Sequence, residues 1–145
     1  MNPFLSLRDY ERFVYTLQSQ FSEVVSSTLM VQRRGRLLAE LTGELIHRNG
    51  CRLTIYERLS WETGTLRIAG YSYEVWKGAE KLYWYDSQPH SGEPSLQSTH
   101  PHHKHVPPDL KRTRLPAPQM SFTQPNLPVL IQEIYDLIQS SESAT

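Results

Sequence analysis

Apolar positions at Tyr10, Phe13, Val14, Leu17, Phe21 and Val24 recur at helical spacing. They predict an amphipathic helix over residues 7–25 with one buried face. Ser6 followed by Asp9 is a capping box with the shorter acid and sets the helix start. Beyond residue 26 the period falls to two and turn residues punctuate the chain. Strands are predicted over residues 28–34, 37–47, 52–60, 66–76 and 81–85, and Asn49-Gly50 is the clearest hairpin turn. On the third strand Leu53, Ile55 and Leu59 share one face, and Arg52, Thr54, Tyr56 and Arg58 share the other. Along the fourth, the apolar phase slips from Leu66 and Ile68 to Tyr71, Tyr73 and Val75, which predicts a bulge at Gly70. Residues 87–125 carry no period and are expected as a long Pro/His-rich loop. A stripe of Leu127, Leu130, Ile131, Ile134, Leu137 and Ile138 then predicts a closing helix over 126–139, capped by Asn126 with Pro128 in its first turn. The expected fold is α+β: a single domain over 1–145, with a five-stranded antiparallel meander covered on one face by the N- and C-terminal helices.

Composition narrows the function classes. The chain has 145 residues and one cysteine, which excludes an internal disulfide framework and a Cys-based zinc finger. No apolar run is long enough to span a bilayer. Charges at Arg8, Asp9, Glu11 and Arg12 fall where a signal peptide would need an apolar stretch, so the expected compartment is the cytoplasm. Lys+Arg and Asp+Glu are equal at 15 each, so nonspecific coating of nucleic acid is not expected. Within residues 100–114, however, Lys104, Lys111, Arg112 and Arg114 face only Asp109, and four of the six histidines lie there. Such a patch suits a phosphate.

Two carboxylates break apolar strand faces: Glu57 in phase with Leu53, Ile55 and Leu59, and Asp86 in phase with Leu82 and Trp84. Each needs a partner if buried. Glu57 is read as a supporting carboxylate. Asp86 opens the segment that carries His90, His102, His103 and His105, the residues expected to transfer protons. Paired imidazoles can serve as base and acid in phosphodiester cleavage by a ribose 2′-hydroxyl, and a carboxylate can set their tautomers. Lys104, Arg112 and Arg114, with Tyr73, are expected on the substrate side. Strict alternation would send His103 and His105 to one side and His102 and Lys104 to the other. Asp86, His90, His103 and His105 also admit a metal-dependent hydrolase, although their spacing matches no strict zinc signature. The leading reading requires no cofactor. A third reading is a module that binds nucleic acid or a partner and breaks no bond. Cys51 has no adjacent base, His47 is read as a surface residue, and Tyr71, Trp76 and Trp84 are read as packing.

The Tyr85-Asp86 strand end, Pro89-His90 and the stretch Pro101-His102-His103-Lys104-His105-Val106 together resemble the TumE-like family of bacterial toxin–antitoxin proteins. The order of elements agrees over most of the chain, including Ile55-Tyr56-Glu57 and Tyr71-Ser72-Tyr73. The sequence departs from the family pattern at Ser91-Gly92 and at Pro107-Pro108. The resemblance implies a small toxin with a helix-turn-helix antitoxin encoded nearby and RNA as target; it leaves self-association open.

Overall fold

The computed structural model describes residues 2–87, 102–110 and 112–143. After a 3-10 turn at Pro3–Leu5 come α1 (Leu7–Tyr15) and α2 (Leu17–Gln20). The strands are β1 (Val24–Ser27), β2 (Met30–Arg33), β3 (Leu38–His47), β4 (Arg52–Ser60), β5 (Arg67–Lys77), β6 (Glu80–Asp86), β7 (His103–His105) and β8 (Arg114–Pro116), followed by α3 (Leu127–Ser143). The fold is α+β. Among the described residues its sheet has eight strands rather than five, in the order β1-β3-β4-β5-β6-β7-β8, with β2 also pairing β3. Every described pair is antiparallel.

Three expectations require correction. The first helix stops early. The Thr16 hydroxyl donates to the Arg12 carbonyl at 2.7 Å, a local bond that competes with helical continuation. The β-branched Val24 and Val25 that follow then enter a strand, with Val24 paired to His47. The Pro/His-rich segment is not loop throughout, because His103–His105 adds to β6 and Arg114–Pro116 adds to β7. Asn126 does not cap α3 with its side chain. Its amide instead accepts from Ser121 N at 2.8 Å and donates to the Tyr73 hydroxyl at 3.0 Å.

Other local signals have the expected form. Ser6 Oγ accepts from Asp9 N at 3.1 Å and caps α1. The β4–β5 register passes from Arg58↔Gly70 to Leu59↔Ile68, so Ala69 is the extra residue of a bulge beside Gly70. Gly43 explains how two short strands share β3. The chain crosses it at Thr28 and Leu29, where a Cβ would lie 2.6 Å from the Thr28 carbonyl oxygen.

One face of the sheet is apolar. Leu41, Leu45, Leu53, Ile55, Leu59, Tyr73, Val75 and Tyr85 are buried there with Tyr10 and Val14 of α1 and Leu127, Leu130, Ile131 and Ile134 of α3. Truncating one such helix anchor to Ala costs about 2–5 kcal/mol in comparable cores. The other face carries Thr54, Tyr56 and Arg58, then Ser72 and Glu74, then Trp84 and Asp86, in cross-strand register. On β6 the core side chains are therefore Tyr83 and Tyr85, and Trp84 and Asp86 lie on the opposite face. Leu82, at the register shift between Val75 and Trp76, packs against the core. No described helix is long and apolar enough to cross a membrane.

Candidate functional site

The end of β6 and the short strand β7 build the site. Asp86 stands opposite His103, and Trp84 opposite His105, so all four side chains share the face turned away from the helices. Asp86 Oδ1 lies 3.0 Å from His103 Nδ1, and Oδ2 lies 3.1 Å from His105 Nε2. One carboxylate thus holds two imidazoles. The three residues are only 6%, 0% and 1% exposed for Asp86, His103 and His105. Burial alone would raise the carboxyl pKa of Asp86. The hydrogen bonds to His105 and His103 outweigh it, and the net shift is below the usual carboxylate range.

The two rings are held differently. His105 Nδ1 lies 2.9 Å from the Leu110 carbonyl oxygen, an acceptor, and its Nε2 faces the Asp86 carboxylate. Both ring nitrogens are thus engaged, Nδ1–H toward the carbonyl and Nε2 against the carboxylate. Trp84 stacks on this ring with centroids 3.8 Å apart and planes 11° apart. His103 gives Nδ1 to Asp86, which directs the proton chemistry of that ring to Nε2.

The neighbouring positions face the helix side. His102 Nδ1 meets the Tyr71 hydroxyl at 2.6 Å, and its ring packs 4.6 Å from Phe122. Lys104 Nζ donates to Glu133 of α3 at 3.2 Å and sits 4.5 Å from the centre of the Tyr83 ring. The alternation along β7 therefore separates His103 and His105 from His102 and Lys104. This is the division that strict alternation predicts, and it sets His102 and Lys104, expected as a proton-transfer and a substrate-side residue, off the face on which Asp86 holds its pair.

The remaining candidates divide similarly. Tyr73, expected on the substrate side, is fully buried in the core and donates to Glu57 Oε2 at 2.5 Å. Glu57 is also fully buried and receives Tyr10 OH on Oε1 at 2.5 Å. Burial lifts its pKa to about 7 despite those two hydrogen bonds. It touches neither histidine; it ties α1 and β5 to the middle of the sheet. Arg112 is exposed, with Asp109 3.9 Å away. Arg114 stands opposite His105 in the β7–β8 register. His47 is not a surface residue: it is 1% exposed, and burial lowers its pKa. Cys51 is buried and accepts from the Asn49 amide at 3.2 Å. His90, and with it the full metal set of Asp86, His90, His103 and His105, lies outside the described residues. Among the described residues no three His, Cys, Asp or Glu side chains are grouped to hold a metal ion.

A cavity of about 380 Å³ adjoins Asp86 on the same face, lined in part by Tyr56, Arg58, Ser72, Trp84 and Ser87. The sequence pattern had put Tyr56 and Arg58 on the polar face of β4. It had also marked the bulge at Gly70; what it lacked was the three-strand register that sets these side chains beside Asp86.

A buried acid holding two histidines at one end of an antiparallel sheet, beside a cavity with an arginine, offers groups that can move a proton or meet an anion. The family model described as Toxin TumE matches residues 12–138. The chain belongs to that toxin family, and membership implies an antitoxin partner. Neither curated proteins nor solved structures gave a match.

Proposed function

We propose that this toxin acts on RNA by cleaving a phosphodiester bond at the Asp86–His103–His105 cluster. We further propose that a helix-turn-helix antitoxin encoded nearby neutralises it. The observation that carries the reading is the double hydrogen bond of Asp86 to His103 Nδ1 and His105 Nε2. In the proposed reaction the RNA 2′-hydroxyl attacks the adjacent phosphorus and the 5′-oxygen leaves. His103 Nε2 takes the proton from the 2′-hydroxyl, the imidazolium so formed returns it to the departing 5′-oxygen, and Asp86 fixes the ring tautomer. His105 has both nitrogens engaged, so its role is to hold Asp86 ionised and in place. This divides a pair that sequence alone treated as equivalent.

The test is cleavage of RNA by purified protein in excess chelator, with the product ends mapped. The reading expects a cyclic phosphate or 3′-phosphate, and its loss in His103→Gln. Cleavage abolished by chelator and restored by a stoichiometric divalent ion would move the assignment to a metal-dependent hydrolase. The near-complete burial of both histidines favours a second reading, in which the cluster only fastens β7 to the sheet and the protein binds without cleaving. Growth arrest by folded His103→Gln at wild-type levels would select it.

A further inference from the structure

The cavity beside Asp86 has a chemistry of its own. Arg58 stands opposite Glu40 across the β3–β4 pair, yet Glu40 bonds Arg34 at 3.2 Å. Among the described residues Arg58 has no carboxylate partner. Its guanidinium lies over Gly70, where an added Cβ would meet Arg58 Nη2 and Ser87 Oγ at 3.6 Å each. A methyl group there would sit at ordinary contact distance, but a larger side chain at Gly70 would fill the floor over which the guanidinium lies. Tyr56 is 39% exposed and Trp84 contributes a second aromatic wall. One face of Trp84 is already covered by His105, which makes the exposed Tyr56 ring the surface offered to a further planar group. A planar cation, an exposed aromatic ring and a small hydroxyl residue, Ser72, around about 380 Å³ match the parts of one nucleotide.

We propose that this cavity seats a single unpaired nucleotide of the target strand, with its phosphate on Arg58 and its base on Tyr56. The inference rests on the RNA reading above and adds where the strand is held. Asp86 forms the wall shared by the cavity and the histidine pair, so a strand anchored here runs past the proposed proton-transfer group. Single-strand binding of this kind is sequence-tolerant at the base and salt-dependent at the phosphate.

The experiment measures binding of a short fluorescent 2′-O-methyl oligoribonucleotide, which lacks the attacking hydroxyl, to wild-type, Arg58→Ala, Tyr56→Ala and Gly70→Val proteins. Far-ultraviolet dichroism and thermal melts establish that each is folded, and Arg58→Lys serves as a conservative replacement at the exposed position. Arg58→Ala is expected to weaken binding on the order of tenfold and to reduce the salt slope by about 0.7, the value for one single-strand phosphate contact. Tyr56→Ala should weaken binding by a similar factor without changing the slope. Gly70→Val should act like both, because it fills the floor, and Arg58→Lys should keep the slope while losing part of the affinity. If wild-type protein binds and all variants bind equally well, the cavity is not the seat, while the RNA reading survives. Failure of the wild-type protein itself to bind would remove the RNA reading and the seat with it. Unchanged oligonucleotide affinity combined with loss of neutralisation by the antitoxin would assign the cavity to that protein and overturn the proposal.

Discussion

Glu57→Gln should flatten the fall in folding stability that the wild-type protein shows between mildly acidic and neutral pH. The carboxyl group is fully buried, and its pKa rises from 4.5 to about 7, with burial the dominant cause. A folded-state pKa above the unfolded value means that the stabilising contribution is complete below pH about 4.5 and is lost as pH rises through about 7. Between those limits the unfolded chain releases a proton that the folded chain keeps. At roughly 1.4 kcal/mol per unit, the difference of 2.5 units (7 minus 4.5) amounts to about 3 kcal/mol. A Gln side chain reproduces the neutral acid: its amide donates toward the Tyr10 hydroxyl and its carbonyl accepts from Tyr73. Any constant penalty from imperfect geometry cancels when the two proteins are compared across pH. The assay is urea unfolding of both proteins from pH 4.5 to pH 8, followed by tryptophan fluorescence. The variant should gain about 3 kcal/mol relative to wild type over that range. A difference that stays constant with pH would refute the reasoning, because Glu57 would then titrate alike in both states. Tyr10→Phe provides a cross-check. It removes a hydroxyl that favours the ionised form, so the wild-type slope should extend to higher pH.

Further predictions concern the site. His103→Gln should lower RNA cleavage on the order of 10²–10⁴-fold, the usual contribution of a general acid or base, while His105→Gln should lose less; equal losses in initial-rate assays would argue against the division of roles. Asp86→Asn should reduce acid sensitivity, because the lowered carboxyl pKa supplies stability that is present above the unfolded value and disappears as pH falls through the folded one. Melting temperatures from pH 2 to pH 6 would show the wild-type decline and its absence in the variant. Lys104→Ala should cost roughly 0.5–1 kcal/mol of stability, through the partly exposed pair with Glu133 and the Tyr83 ring. It should leave oligonucleotide affinity and its salt slope unchanged, and a tenfold affinity loss would reassign Lys104 to the substrate side.

Much of the scaffold was legible in the chain because it depends on neighbours in sequence. Alternation along 52–60 and 66–76 set the two faces, Asn49-Gly50 closed a hairpin, Ser6 and Asp9 opened the first helix, and the phase slip at Gly70 marked a bulge. The same period placed Asp86 with Trp84, and His103 with His105. Other features depend on partners far away in sequence. His103–His105 is too short for any period to identify, and it becomes a strand because β6 supplies its backbone partners and Asp86 binds its two imidazoles. The first helix yields at Val24 because β3 offers a pairing edge there. Lys104 is basic and lies beside histidines, which from sequence alone suggested a phosphate contact. The pleat instead turns it through the sheet to Glu133. Arg58, by contrast, carried no special signal among the alternating residues of β4. Its importance arises where three strands and a bulge bring its guanidinium, the gap over Gly70 and the Asp86 carboxylate to one place. Local periodicity follows from the geometry of successive residues and can be read along the chain. Which charges end up together is decided by long-range pairing, which the sequence encodes only through the whole fold.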